Sequence, residues 1–224
     1  MNLFVIADIH GCLYTLRELL KHWRPQEEML VQLGDLVDRG RHSPEVVELC
    51  RQLSQEFPDR TVFLQGNHDW AMAEHVGLNG PYRAWLGWGG RATLHQYQRH
   101  REWLAPHAVW LGHRPLFWET DYLLFSHAGF ADVPDPLDPN NDEGVLWRRG
   151  PLRHLGKRQV VGHTPTAPPA PVYHEATNTI YLDTGASAGH FLTGLRLGET
   201  GEVLETIAIP TQPEDIYPAS QDLA

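Results

Sequence analysis

Cysteine is scarce in this chain: Cys12 and Cys50 are the two thiols among 224 residues, so no disulfide framework can hold it together. No stretch of 18 apolar residues is present, which excludes a membrane-spanning helix on sequence grounds. Basic charge is also in short supply. Lysine plus arginine number 18 against 28 aspartates and glutamates, a formal net charge of -10. A polyanion-binding module carries the opposite balance, so no nucleic-acid partner is expected. The apolar residues 3–7 end at Asp8, too short a run for a signal-peptide core, and the expected location is the cytoplasm. There is no repeat at solenoid period and no composition break that marks a domain linker.

Hydrophobic residues make up 42% and charged residues 21%, the balance of a folded globular chain rather than a disordered one. The length favours one large domain, burying roughly 70% of the extended chain's surface. A single domain over residues 1–209 is expected, with residues 210–224, polar and unpatterned, as a loosely ordered tail. Fourteen histidines and eight tryptophans stand out, and histidine is the side chain best suited to metal ligation and proton transfer near neutrality.

The first 70 residues repeat one rhythm: a short apolar run, a polar Gly/Asp/His cluster, then a helical pattern. Residues 3–7 lead to Asp8-Ile9-His10-Gly11, and Leu13, Leu16, Leu19, Leu20 and Trp23 follow at helical spacing until Pro25. Residues 29–33 lead to Gly34-Asp35-Leu36-Val37-Asp38-Arg39-Gly40, then Ser43 and Pro44 predict an N-cap and a first-turn proline. Residues 61–65 lead to Gly66-Asn67-His68-Asp69. This alternation predicts an α/β fold with parallel strands. Residues 70–110 are broken by glycines and dense in tryptophan, and predict a helical insertion. Strands are predicted at 116–119, 122–126, 160–162, 180–182, 191–197 and 203–209, with loops at 131–144 and 164–171.

Asp8, His10, Asp35, Asn67, His127 and His163 all stand just after apolar runs. Strand ends in an α/β sheet open onto one crevice, so these six can converge. Asp8 and His10, two apart in an extended segment, would point the same way. Six oxygen and nitrogen donors without thiolate suit one or two first-row divalent ions rather than a structural zinc knot. Two such ions outweigh the charge of Asp8 and Asp35, so the centre stays positive and attracts a phosphate. Two ions can clamp both the attacking and the leaving oxygen. Lowering the pKa of a bound water from 15.7 to about 7 makes hydroxide available at a gain of roughly 12 kcal/mol, without a side-chain nucleophile.

Taken in order, Ala7-Asp8-Ile9-His10-Gly11, Gly34-Asp35-Leu36-Val37-Asp38-Arg39-Gly40, Gly66-Asn67-His68-Asp69, Ser126-His127-Ala128-Gly129 and Gly162-His163-Thr164-Pro165 resemble the metal-site motifs of the phosphoprotein phosphatase group of calcineurin-like metallophosphoesterases, and in particular small bacterial and phage serine/threonine phosphatases. The resemblance runs to about Leu197 and includes Asp183-Thr184-Gly185-Ala186; its one departure is Ala7 in place of a usual glycine. It implies a β-sandwich flanked by helices. It implies that Asp8, His10 and Asp35 hold one divalent ion, with Asp35 bridging to a second held by Asn67, His127 and His163. Manganese is the ion suggested, with iron, zinc or nickel also compatible with these ligands. His68 would protonate the leaving alkoxide, oriented by Asp38, and Arg39 and Arg149 would bind phosphate oxygens, with Arg148 the alternative to Arg149. An imidazole suits such a proton donor, and a guanidinium fits phosphate bidentately.

The function expected is therefore a metal-dependent phosphomonoesterase for phosphoserine or phosphothreonine proteins or small phosphoesters, using the hydroxide held by the two ions. A symmetrical dinucleoside tetraphosphate hydrolase is the alternative, disfavoured by the short spacing of some 35 residues between His127 and His163. A non-catalytic scaffold would have lost a ligand or the acid, and all are present. Asp69 is expected to cap a helix, Trp70, Trp85, Trp88, Trp103 and Trp110 to pack, and Cys12 and Cys50 to be inert core thiols. The oligomeric state is open.

Overall fold

Alternation along the first strand decides the layering. In the computed structural model, which describes residues 1–77, 80–167 and 169–217, β1 spans Asn2–Ile6. Leu3, Val5 and Ala7 point one way, into a cluster with Val31, Leu33, Phe125, Val160, Ile180 and Leu182. Phe4 and Ile6 point the other way, against Leu13, Leu16, Leu19, Val46 and Val47 of the helices. The period of two thus builds two apolar layers from one strand, one between sheets and one under helices.

The strands form two five-stranded mixed sheets. In the first, β10 (Val203–Pro210), β9 (Phe191–Leu197), β1, β2 (Glu28–Gln32) and β3 (Thr61–Phe63) lie side by side in that order. β1, β2 and β3 are parallel, and β9 joins β1 antiparallel. In the second, β4 (Phe117–Glu119), β5 (Leu123–Ser126), β6 (Arg158–Val161), β8 (Thr179–Tyr181) and β7 (Val172–His174) follow in that order, with β5, β6 and β8 parallel. The crossover helices are α1 (Leu13–Leu20) and α2 (Ser43–Glu56). The two sheets packed face to face, with helices outside, are the expected α/β sandwich.

The insertion is helical and slightly longer than expected: α3 (Asn67–Val76), α4 (Gly90–Gln96) and α5 (Arg101–Gly112), with 3-10 turns at Arg83–Gly87 and Tyr97–Arg99. It begins on Asn67 itself, so a candidate ligand opens a helix. β7 was not expected; all three of its residues are exposed on a sheet edge, and such a strand leaves no burial pattern to read. Ser43 is the first residue of α2 rather than its cap, and its hydroxyl turns back to accept the Asp38 N–H at 3.0 Å.

The expectation of a loose tail is corrected for residues 210–217. Asp215 is fully buried and accepts the N–H groups of Tyr14 and Thr15 (2.9 and 2.8 Å) and the Thr15 hydroxyl (2.6 Å). It serves the start of α1, where Cys12 offers no side-chain cap. Residues 218–224 of that tail lie outside the described residues. Cys12 and Cys50 are buried, and burial pushes both thiols up, as inert core groups. Among the described residues, no helix is long and apolar enough to cross a membrane.

Candidate active site

Every candidate ligand follows the carboxyl end of a parallel strand: Asp8 and His10 after β1, Asp35 after β2, Asn67 after β3, His127 after β5 and His163 after β6. The two sheets therefore deliver their polar loops to one edge of the sandwich, and the structure brings the six together. The convergence of Asp8 and His10 differs in cause from the expectation. His10 is not extended; it has a φ of +46°. Asp35, Asp38, Arg39 and His163 also sit at positive φ, between +60° and +74°. Backbone of this kind costs about 1–3 kcal/mol per non-glycine residue and concentrates at functional sites.

Packing holds these turns in place. A Cβ on Gly66 would fall 2.2 Å from the Asp35 nitrogen and carboxylate, and one on Gly162 would fall 2.2 Å from the Asp8 carboxylate. Only glycine lets these loops approach so closely. Asp69 then ties the Asp35 loop to α3, accepting the N–H groups of Asp35 (2.7 Å), Leu36 (2.9 Å) and Gly66 (3.2 Å). It caps α3 as expected, but two of its three bonds position Asp35. Burial and the Asp35 charge push its pKa up to about 7 against those donors.

The hydrogen bonds fix which histidine nitrogens carry protons. His10 gives its Nδ1–H to the Val37 carbonyl (2.7 Å), His127 its Nδ1–H to Leu33 (2.9 Å), and His163 its Nε2–H to Trp147 (3.2 Å). Each neutral ring then presents its other nitrogen as a lone pair, which on His10 meets the Arg39 guanidinium at 2.9 Å. His127 Nε2, His163 Nδ1 and Asn67 Oδ1 lie within 2.9–3.1 Å of one another, three acceptors facing inward. Asp35 Oδ2 lies 3.4 Å from His10 Nε2 and 3.5 Å from His127 Nε2, between the two halves. Burial lowers the pKa of His10, His127 and His163, the last to about 2, so all three are neutral ligand-type imidazoles. Burial would raise Asp35, but the four surrounding histidines hold it well below the usual carboxylate range. Facing lone pairs with outer N–H groups already committed fit a divalent cation.

Two groups of ligand atoms converge closely: Asp35, His127 and His163 in one, His10, Asp35 and His68 in the other. Asp8 stands beside the second, 3.9 Å from His10 Nε2, with its carboxylate taken by the His163 N–H. Burial and the neighbouring Asp183 and Asp35 raise Asp8 well above its ordinary value. A positive centre would relieve that repulsion.

His68 behaves differently from the other three. Its Nδ1 meets Asp38 Oδ2 at 2.6 Å. Burial alone would lower its pKa, yet the charge of Asp35 and the bond to Asp38 outweigh it, and the pKa is raised. Asp38 is completely buried and takes two further donors from the insertion, Trp85 Nε1–H (2.7 Å) and the Thr93 hydroxyl (2.5 Å). The Arg39 guanidinium lies 2.9 Å from His10 Nε2 and 3.1 Å from His68 Nε2, a cation at the border between the ligand cluster and the His68–Asp38 pair. Arg149 is exposed, has no hydrogen bond or ion pair among the described residues, and its charge lowers the pKa of His127 and His163. Arg148 instead pairs with Glu143 and donates to the Pro151 carbonyl.

Sequence reasoning gave no site role to Trp85, Thr93 or Asp183. Trp85 read as packing, and a lone threonine carries no signal. Asp183 lay in a quoted motif without a role; it is buried, accepts the Gly185 N–H at 2.9 Å, and burial raises its pKa to about 6.

This fold and this donor set define a metallophosphoesterase, and the chain belongs to the calcineurin-like phosphoesterase family, whose profile it matches over residues 1–190. It is similar, at 28% identity over 98% of this chain and 100% of the relative, to the asymmetrical bis(5'-nucleosyl)-tetraphosphatase PrpE of Bacillus cereus. Among solved structures it resembles a candidate diadenosine tetraphosphatase (TM-score 0.63, 21% identity, 95% of this chain and 94% of that one). It also resembles a Saccharomyces cerevisiae serine/threonine phosphatase with similarity to human PP5 (TM-score 0.63, 16% identity, 98% and 82%).

Proposed function

We propose that this phosphoesterase is a phosphomonoesterase acting on serine- or threonine-type phosphoesters. The observation that carries the reading is the His68–Asp38 pair: one imidazole with a raised pKa, oriented at 2.6 Å by a buried carboxylate, beside three lowered ones. An alkoxide leaving group needs a proton, and His68 is the group arranged to give it. Asp38 holds the ring and supports its charge. Asp8, His10 and Asp35 would hold one ion and Asn67, His127 and His163 a second, with Asp35 shared; its oxygen between His10 and His127 supports the sharing. Bound there, divalent ions, manganese in our reading, supply Lewis acidity and an activated water. Arg39 and Arg149 bind the phosphoryl oxygens and orient phosphorus for in-line attack.

A second reading, a dinucleoside tetraphosphatase, is favoured by the end-to-end match to PrpE, whose printed name is of the asymmetrical type rather than the symmetrical type weighed from the sequence. Its leaving group is itself a phosphate, which needs less help from an acid. Steady-state kinetics on metal-reconstituted protein with a phosphoserine peptide, p-nitrophenyl phosphate and diadenosine tetraphosphate separates the two. The first reading requires the phosphopeptide to have a larger kcat/KM than the dinucleotide.

A further inference from the structure

A cavity of about 310 Å³ opens beside the ligand cluster, at the lower end of the roughly 300–1,000 Å³ typical of small-molecule sites. Its polar wall consists of Arg148, Arg149, Thr164, His174 and Tyr181. Two of its lining residues fix its position: Ala128 follows the ligand His127 directly in the chain, and Thr164 follows the ligand His163. The cavity therefore opens next to the loops that carry these two ligands, and the Trp147 carbonyl, 3.2 Å from His163 Nε2, holds the segment bearing Arg148 and Arg149 against one of them.

Its chemistry is one-sided. Among the described residues no carboxylate lines it, in a chain with 28 acidic residues. Arg149, the Thr164 hydroxyl and the Tyr181 hydroxyl have no hydrogen-bond partner among the described residues, so three donors stand ready for a ligand. Arg148 is fixed along the wall by Glu143 and the Pro151 carbonyl. His174 is exposed on β7, with its Nδ1 turned to the Thr177 hydroxyl at 3.0 Å. Unpaired donors with a free guanidinium select an anion, and phosphate oxygens fit a guanidinium best.

We propose that this cavity is a second anion subsite, taking a phosphate of a phosphoanhydride chain whose neighbouring phosphate lies at the centre formed by Asp35, His127 and His163. The proposal rests on reading that centre as the hydrolytic one, and it deepens the second of the two readings. Substrates that carry a polyphosphate chain engage both places, whereas a simple phosphomonoester engages only the first. Arg149 stands at the junction and contacts either phosphate.

The test is calorimetric titration of the metal-loaded full chain, with free metal held constant, using inorganic triphosphate and orthophosphate as probes. Triphosphate is expected to bind more tightly than orthophosphate. In the combined variant of half-buried Tyr181→Phe with exposed His174→Ala, that preference is expected to shrink by roughly tenfold, the loss of about one charge-assisted bond. Equal affinity for the two probes, or a preference that survives in the variant, overturns the subsite. Hydrolysis of p-nitrophenyl phosphate, measured alongside, reports on the catalytic reading separately: absence of turnover with the triphosphate preference intact removes that reading and leaves the subsite standing.

Discussion

The indole N–H of Trp85 donates to the Asp38 carboxylate at 2.7 Å, joining the helical insertion to the acid pair across 47 positions of sequence. Thr93 adds a second bond from the same insertion. Both donors fix the carboxylate that orients His68. A hydrogen bond to a charged group is worth about 1.5–3 kcal/mol. Trp85→Phe and Thr93→Val are therefore each expected to lower kcat on an alkyl phosphate by roughly tenfold. The loss is expected to be smaller on p-nitrophenyl phosphate, whose leaving group needs little protonation. A merely structural role would move both substrates alike, so equal losses refute the positioning role.

His68 distinguishes acid from ligand. Its Nε2 converges with His10 and Asp35, yet its Nδ1 and its raised pKa set it apart. In His68→Asn both ions are expected to remain by elemental analysis, while kcat on alkyl phosphates falls by roughly 10²–10⁴. Loss of an ion with an unchanged ratio of alkyl to aryl rates would make His68 a ligand instead.

The shared position of Asp35 predicts unequal metal losses. Its carboxylate faces both halves of the cluster, whereas Asn67 faces only His127 and His163. Asp35→Asn is expected to retain fewer ions per chain than Asn67→Asp. Dialysis against a chelator is expected to abolish turnover in the unaltered protein, and manganese to restore it better than magnesium, which suits nitrogen ligands poorly. Two ions per chain in Asp35→Asn would exclude the sharing.

The fold and the convergence of the candidate ligands were legible because both are written in local sequence. β9 has the predicted bounds, Phe191–Leu197, and each candidate ligand follows an apolar run that becomes a strand. What escaped depends on long-range contact. Trp85 looks like any packing aromatic until the fold sets Asp38 against its indole. Asp215 sits in a polar stretch whose value as a cap arises only when it meets Thr15, 200 positions away. Ser43 carries a capping pattern, but the tight Asp38–Arg39–Gly40 turn offers its hydroxyl a nearer partner. His10 was expected in extended backbone; the positive φ that aims it comes from the closure of the loop onto Asp35, whose carbonyl accepts the Ile9 and His10 N–H groups.

Acid is expected to loosen the insertion through Glu48. This carboxylate on α2 accepts bonds from Arg51 and Gln52 and from His107 on α5, and His107 in turn meets the Tyr97 hydroxyl. The Arg51 bonds, opposed by burial and helped by His107, lower its pKa from 4.5 to about 2. A carboxylate held lower in the folded state binds fewer protons there than when unfolded. Its stabilisation is complete above 4.5 and is lost as pH falls toward 2. Burial likewise lowers the pKa of His107, whose contribution begins to fade below 6.5. The Tm gap between the native protein and Glu48→Gln is expected to be widest near neutrality and to narrow below pH 4.5. A gap that widens in acid would show that the network does not hold Glu48 as a carboxylate.

The two adjacent arginines give the sharpest kinetic test of the phosphate contacts. Arg148 is committed to Glu143 and the Pro151 carbonyl, and Arg149 is free and close enough to depress both His127 and His163. If Arg149 holds phosphoryl oxygens in the ground and transition states alike, Arg149→Ala raises KM and lowers kcat/KM together. Charge-assisted bonds of about 1.5–3 kcal/mol predict a loss in kcat/KM of roughly 10- to 150-fold. Inhibition by product phosphate is expected to weaken in parallel, since the same oxygens are bound. Arg148→Ala is expected to leave kcat/KM for p-nitrophenyl phosphate much closer to the native value, because its guanidinium is fixed to Glu143. A reversed pattern would transfer the phosphate contact to Arg148, and no effect from either would leave Arg39 as the one arginine on the scissile group.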